Sequence, residues 1–432
     1  MYHKDIETMT RAQMEQLQLT RLQAMVDHCY HHSPFYHQKL RDAGITCGKD
    51  IRTLSDIRLL PYTTKEELRE QYPDGLLAVP RDQIARIHAS SGTTGKPTVT
   101  YYTRKDLDNW SELAARVLDL NGIEPSDTLQ ISVGYGLFTG ALGFHQGAEK
   151  IGCTIIPAST GNTQKQLVMM HDMGVTALMA TPSYAATLAE KVAASPDVEG
   201  FRLKKVLFGA ERCTPATRRM VEEKLHVHTA DNYGMTECWG PGVAGECSAR
   251  QGMHLSEDFF YPEIIVPETG EPLPDGELGE LVLTTLCREA MPLLRYRTRD
   301  LTRLDHAPCP CGRTTVRMEA PMGRTDDMFV FKGINVFPSQ IECAIGAIPE
   351  LSPHYLVTLT RDASFQDSAL LEVETICDDL TDSQLQDVIA RLEHKLREII
   401  IVRLQVALRA PGTLQRFTGK AARVHDCRYD KE

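Results

Sequence analysis

Ser90-Ser91-Gly92-Thr93-Thr94-Gly95-Lys96-Pro97 is the densest chemical signal in the chain. Its glycines let backbone amides approach a phosphate closely, its hydroxyls can donate to phosphate oxygens, and Lys96 adds positive charge. The bland alternative is a solvent-exposed turn. The segment is not a Walker A loop, which needs a longer spacer between its glycines and a Ser or Thr after Gly-Lys. Here only Thr93 and Thr94 intervene, and Pro97 follows the lysine.

Outward from this loop, from about residue 84 to 285, short apolar runs at 128–133, 154–157, 177–181 and 205–208 alternate with amphipathic stretches. Runs of that length between helical patterns predict buried strands in βα units. Pro274-Asp275-Gly276 predicts a turn, and residues 280–285 alternate like a half-exposed strand. Upstream, Leu19, Leu22, Met25, Val26 and Cys29 recur at helical spacing and predict an amphipathic helix packed on the body. The nearby His28, His31, His32 and His37 are read as a helix end and loop, with no role assigned.

Past residue 327 the pattern becomes a compact series. Residues 328–331 read as a strand, and Pro338-Ser339 opens a short helix burying Ile341 and Ile345. Strands follow at 354–360 and 369–375. Thr381 with Gln384 forms a capping box ahead of the stripe Leu385, Val388, Ile389, Leu392, Leu396 and Ile399. Val402, Leu404, Val406 and Leu408 alternate as a last strand. This βαββαβ order predicts a separate α+β unit. The expected division is 1–325 and 326–432, with the cut near 324–327.

The whole chain of 432 residues allows two to four domains at roughly 100 to 200 residues each. With 42% hydrophobic and 24% charged residues it has an ordinary globular composition. Its 47 basic against 58 acidic side chains give a net charge of -11, which argues against nucleic acid or anionic membrane as a partner. No run approaches the ~20 apolar residues of a membrane helix. The first residues, Met1-Tyr2-His3-Lys4-Asp5, lack the pattern of a signal peptide, so a cytoplasmic protein is expected. The scattered cysteines fit a reducing compartment, with Cys309 and Cys311 the exception.

The phosphate-loop segment resembles the signature of the acyl- and aryl-adenylate-forming superfamily, and further motifs follow in that superfamily's order. These are Tyr135-Gly136-Leu137-Phe138-Thr139-Gly140, Asp231-Asn232-Tyr233-Gly234-Met235-Thr236-Glu237, Arg295-Tyr296-Arg297-Thr298-Arg299-Asp300-Leu301 and Gly323-Arg324-Thr325-Asp326-Asp327-Met328. Asn335-Val336-Phe337-Pro338-Ser339-Gln340-Ile341-Glu342 and Thr418-Gly419-Lys420 sharpen the resemblance to the phenylacetate–CoA ligase family. It implies a two-domain α/β protein: a large N-terminal adenylate-forming domain of mixed sheets and helices, and a small α+β C-terminal domain.

The implied activity is ATP-dependent formation of an aryl acyl-CoA through an acyl adenylate, with ATP/AMP, Mg²⁺ and coenzyme A as cofactors. A carboxylate resists nucleophiles because its charge is delocalised and oxide leaves poorly; transfer of AMP removes both obstacles. Such chemistry needs cations and donors around the phosphates rather than a covalent nucleophile. By resemblance, Ser90, Ser91, Gly92, Thr93, Thr94, Gly95 and Lys96 cradle the β- and γ-phosphates. Tyr233 stacks on adenine, Gly209-Ala210-Glu211 lies beside that base, and Asp231, Asn232, Gly234 and Met235 complete the nucleotide-binding segment. Thr236 donates to the α-phosphate, Glu237 holds Mg²⁺, Asp300 accepts from the ribose hydroxyls, and Arg324 lies nearby. Lys420 resembles the catalytic lysine of the small domain, which pivots near Asp326.

The family's ring pocket falls on Tyr135, Phe138, Gly209, Ala210 and Asn232. Val133, where the family often has tyrosine, and Asn232, where it often has an apolar residue, imply a wider or more polar pocket, unless neither reaches the ligand. Cys309-Pro310-Cys311-Gly312 suits two thiolates on one zinc, and by resemblance Cys247 and His254 complete a structural Cys₃His site; four free side chains are the alternative. A homodimer is the family's expectation. The competing functions are an adenylyltransferase or carrier-loading enzyme that shares the first half-reaction, and a non-catalytic nucleotide-binding regulator.

Overall fold

The structure, a computed structural model, describes residues 1–90, 97–324, 329–331, 334–361, 367–400, 403–416 and 423–428. A nine-stranded sheet forms the centre of the larger unit. From one edge it runs through the strands Leu304–Asp305, Arg317–Met318, Met253–Leu255, Gly240–Glu246, His228–Met235, Lys205–Phe208, Ala177–Ala180, Thr128–Ile131 and Thr154–Ile156. The last five are mutually parallel, and the sheet turns antiparallel between His228–Met235 and Gly240–Glu246. Four of the five parallel strands are the apolar runs of the sequence, and the inner ones are buried on both faces as such runs imply; the fifth, His228–Met235, is polar in sequence.

Helices return the chain between these strands, and their starts are written locally. Thr103 accepts from the Asp106 amide while Asp106 accepts from Thr103, closing a capping box before Arg104–Leu120. Thr181 and Thr214 cap Pro182–Ala193 and Pro215–Leu225, each with proline at the first helical turn, where its missing N–H costs nothing. The helix Arg11–His32 buries Leu22, Met25, Val26 and Cys29, as its periodicity predicts.

A second, antiparallel sheet is formed by Phe260–Ile265, Gly279–Thr285, Tyr296–Thr302 and Gly323–Arg324. Here one expectation fails: Gly279–Thr285 is buried throughout instead of half-exposed. The polar position that suggested exposure, Glu280, is inside because Arg297 meets its carboxylate at 2.5 Å. An ion pair thus replaces water as the partner of the charge.

The C-terminal residues build a core of their own, from Phe329 to Leu404, with Ile341, Ile345, Val357, Leu371, Val388 and Leu392 at its centre. The helices Pro338–Gly346 and Asp382–Ile399 cover a four-stranded sheet ordered Gln405–Arg409, Asp367–Thr375, Leu351–Arg361, Val424–Asp426. The βαββαβ expectation is corrected at both ends. Phe329–Phe331 pairs with Ile334–Val336 as a hairpin, and Val424–Asp426, beyond the predicted last strand, adds in parallel to Leu351–Arg361. Both missed strands span only three residues, too few for a period to register.

Candidate active site

The predicted site residues emerge where the parallel strands end. Val133 and Tyr135 follow Thr128–Ile131, Gly209 to Glu211 follow Lys205–Phe208, and Thr236 and Glu237 follow His228–Met235. In open α/β sheets this carboxyl edge is where ligands bind, because the connecting loops part there. Ser90 closes the strand hairpin Arg86–Ala89 and Val99–Tyr102: its amide donates to the Thr98 carbonyl at 2.9 Å and its hydroxyl accepts from the Thr98 amide at 3.2 Å. Ser91, Gly92, Thr93, Thr94, Gly95 and Lys96, along with Asp326 and Lys420, lie outside the described residues.

Three predicted residues meet directly. Tyr233 donates its phenolic hydroxyl to Asp300 Oδ2 at 2.5 Å, and Arg324 donates to Asp300 Oδ1 at 2.9 Å. Burial pushes the Tyr233 hydroxyl far above its ordinary range, helped by the adjacent carboxylate, so it remains a donor. The carboxylate of Asp300 is thereby fixed beside an aromatic face.

Across the cleft, Thr236 Oγ1 lies 3.3 Å from Thr139 Oγ1, joining the turn after His228–Met235 to the N-cap residue of Gly140–Ile151. Glu237 is almost fully buried, with Lys65 Nζ at 3.9 Å. A single carboxylate is enough protein ligand for a hard cation that keeps water and phosphate oxygens as its other ligands. Gly234 is pressed against the Gly240 carbonyl, where a Cβ would sit 2.1 Å away, so only glycine fits. Met235 follows it at the strand's end.

Gly209 is tightly packed: a Cβ there would meet Asn232 Nδ2 at 2.7 Å, so that amide would have to shift. Asn232 donates that amide to the Phe208 carbonyl. Ala210 adopts a left-handed φ of 67°, unusual outside glycine, and aims the next residues out of the sheet. Glu211 accepts from the Ser183 hydroxyl at 3.1 Å and its amide at 3.3 Å, tying this corner to the start of Pro182–Ala193. Asp231 is buried below, where burial pushes its carboxyl up to about 7, against the pull of Arg218.

Of the residues expected around the ring, Tyr135 reaches His145 Nδ1 at 3.1 Å, and Phe138 is exposed. Val133 is buried with Ala141, Phe144 and Met179 in a hydrophobic cluster. Lys65 and His145 escape the sequence reading, and Thr139 enters it only as part of its motif. Lys65 and His145 are routine helix residues in sequence, and Lys65 shows only as the residue after the Thr64 cap.

Away from the cleft, Cys247, His254, Cys309 and Cys311 converge with all their ligand atoms within 4.8 Å of one another. Cys247 Sγ is 3.7 Å from Cys309 Sγ, and Cys311 Sγ is 3.3 Å from His254 Nε2. His254 Nδ1 lies 3.2 Å from the Thr315 carbonyl, which accepts its proton and leaves the Nε2 lone pair aimed at the sulfurs. Burial holds this imidazole neutral, lowering its titration to about 4. Three sulfurs and a neutral imidazole are a donor set for tetrahedral zinc.

Comparison with known proteins agrees with this geometry. The profile of the AMP-binding enzyme family matches residues 14–287, and that of the AMP-binding enzyme C-terminal domain matches 333–428. A phenylacetate-coenzyme A ligase of Thermus thermophilus is 45% identical, covering 99% of this chain and 100% of its own. Among solved structures, 2-hydroxyisobutyryl-CoA ligase in the postadenylation state, in complex with 2-HIB-AMP, superposes with a TM-score of 0.90 at 28% identity, covering 98% of this chain and 91% of that one. The same ligase in the thioesterification state, with 2-HIB-AMP and CoA, scores 0.72 at 29% identity, covering 99% and 92%. Matched along nearly its whole length, the chain belongs to the phenylacetate–coenzyme A ligase family of AMP-binding enzymes.

Proposed function

We propose that the protein is an ATP-dependent, AMP-forming aryl acid–CoA ligase acting on phenylacetate or a related arylacetic acid. The acid's carboxylate attacks the α-phosphorus of ATP and pyrophosphate leaves; the CoA thiol then attacks the acyl adenylate carbonyl and AMP leaves. The observation that carries this reading is the Tyr233–Asp300–Arg324 set opposite the Thr236–Glu237 turn. It offers an aromatic face, a ribose acceptor and a phosphate end in one cleft. The full-length likeness to a phenylacetate ligase supports the acid class.

In this reading Tyr233 stacks on the base, Asp300 accepts from the ribose, Thr236 donates to the α-phosphate, and the loop from Ser90 to Lys96 holds the outer phosphates. Glu237 would hold Mg²⁺, which supplies charge neutralisation when bound. Lys420, on the unit we divide off at residue 326, would stabilise charge developing at the α-phosphate. Its flanks are anchored: Arg416 makes a double contact with Glu374 at 2.8 and 2.7 Å, and Arg423 lies over the Tyr355 ring at 4.8 Å. Cys247, His254, Cys309 and Cys311 would hold a structural zinc that pins the loop after residue 246 to the one near 309.

For the acid itself, a ring lies between Tyr135, Phe138 and the Gly209–Asn232 corner. Val133 packs into the core and Asn232 spends its amide on Phe208, which favours a plain arylacetic ring over an enlarged polar one. No helix among the described residues is long and apolar enough to cross a membrane. A cytoplasmic homodimer is the state we assign, on the resemblance.

The test is AMP release with ATP, CoA and a panel of phenylacetate, hydroxyphenylacetate and indoleacetate. CoA-dependent release, fastest with phenylacetate, is expected. Pyrophosphate exchange without any CoA-dependent product would point instead to an adenylyltransferase, and no exchange with any acid would point to a nucleotide-binding regulator.

A further inference from the structure

Arg288, in the connection between Gly279–Thr285 and Tyr296–Thr302, is fully buried. Among the described residues it faces no carboxylate at ion-pair distance. Its Nη1 donates to the main-chain carbonyl of Glu237, its Nη2 donates to the Thr100 hydroxyl, and its Nε has no partner. A guanidinium stays protonated, and a buried charge without a counter-charge is costly to keep. Such a cation needs a use.

Its surroundings hold it still. The guanidinium lies between the rings of Tyr102, at 5.2 Å, and Trp239, at 5.4 Å, so two aromatic faces replace the missing anion. Both rings are tied down in turn. Tyr102 donates its hydroxyl to the Trp239 carbonyl at 2.9 Å and stacks on Trp110, while Trp239 Nε1 donates to the Asp106 carbonyl at 3.2 Å. Asp106 also accepts from the amides of Glu289 and Ala290, fixing the chain just past Arg288.

The two groups that Arg288 joins belong to different elements. Thr100 lies on the strand Val99–Tyr102 that leaves the phosphate loop, and Glu237 is the middle residue of the turn Thr236–Cys238. Trp239 takes a left-handed φ of 72° directly after this turn, a conformation that must be held by its surroundings. We propose that Arg288 is a positioning residue of the adenylation half-reaction: it clamps the Thr236–Glu237 turn to the phosphate-loop strand. Its unpaired charge stands behind the turn, where an anionic nucleotide lowers the cost of burying it. This inference rests on the function proposed above.

The test compares the parent with Arg288→Met, which removes charge and fork, Arg288→Lys, which keeps charge alone, and Thr100→Val, which removes one acceptor. Three readouts are taken on full-length protein: ATP–pyrophosphate exchange with phenylacetate, thioester formation from supplied phenylacetyl adenylate, and calorimetric ATP affinity with Mg²⁺ or with EDTA. Arg288→Met should lose about a hundredfold in exchange, the scale of removing one preorganised donor. Thioester formation should stay within about threefold, and the gain in ATP affinity that Mg²⁺ gives should shrink, with Arg288→Lys intermediate. Equal loss of both half-reactions, or unaltered exchange, would overturn the inference while leaving the function standing. If the Met variant does not fold, the Lys and Val variants decide by the same selective loss. Absence of exchange in the parent with every arylacetic acid would fell the function, and this inference with it.

Discussion

Tyr233 and Asp300 come from different sheets and meet at 2.5 Å, the phenol donating to one carboxylate oxygen while Arg324 donates to the other. The Asp300 carboxylate, the ribose acceptor in the function proposed above, is thus oriented by its protein partners alone. Tyr233→Phe keeps the aromatic face and removes the donor, leaving Asp300 under-satisfied in a buried place, a loss of roughly 1–3 kcal/mol. The expected outcome is a weakening of ATP binding by about tenfold, read by calorimetry. Asp300→Asn should weaken it further, because it removes the charge-assisted bond to Arg324 as well.

Much of this arrangement is legible in sequence, and the limit is physical. The strand Lys205–Phe208 and the cap at Thr181 are local, so a few residues suffice to specify them. The strand His228–Met235 carries its nucleotide residues in one continuous motif. Lys65 beside Glu237, or Arg288 behind it, depends on segments brought together only by tertiary packing. No local spacing encodes either contact. Glu280 misleads for the same reason: its partner Arg297 lies on the neighbouring strand, and without that partner a glutamate reads as solvent-facing. The phosphate loop is the converse, plain in sequence yet beyond Ser90 outside the described residues.

Asp231 predicts a pH dependence of stability. Burial raises its carboxyl to about 7 from 3.8, so the folded chain binds a proton that the unfolded chain releases above its lower value. Its contribution is therefore fully present below about pH 4 and is lost as pH rises through 7. A shift of this size corresponds to on the order of 4 kcal/mol across that window. Asp231→Asn, neutral at every pH, should melt higher relative to the parent at pH 8 than at pH 5. Thermal unfolding of both proteins in the absence of nucleotide checks it, and a difference independent of pH would contradict the assignment.

The cysteine-histidine cluster predicts a bound metal that acts on stability and leaves chemistry alone. Its ligands lie outside the nucleotide cleft, and a Cys₃His site keeps no open position. Elemental analysis should find about one zinc per chain. Stripping it with a chelator, or Cys309→Ser, should lower the melting temperature by about 5 °C or more, since 1 kcal/mol moves a domain of 150–250 residues by about 2–4 °C. The KM for ATP should hold steady on whatever fraction remains folded. Metal-free protein with an unchanged melting temperature would mean four ordinary side chains.

The last prediction separates the half-reactions. The described residues on either side of Lys420 belong to the C-terminal core: Arg416 contacts Glu374, and the strand Val424–Asp426 pairs with Leu351–Arg361. In the function proposed above, Lys420 serves adenylation. Once the adenylate exists, the thiol needs only an activated carbonyl and a good leaving group. Lys420→Ala should therefore reduce pyrophosphate exchange by about a hundredfold or more, the scale of losing one preorganised stabilising group at a transferring phosphoryl. CoA thioester formation from supplied phenylacetyl adenylate should stay within about threefold of the parent, because that step attacks the acyl carbonyl and leaves the phosphorus untouched. Exchange near the parental rate would remove Lys420 from the mechanism; equal loss of both steps would make it a general determinant of nucleotide binding.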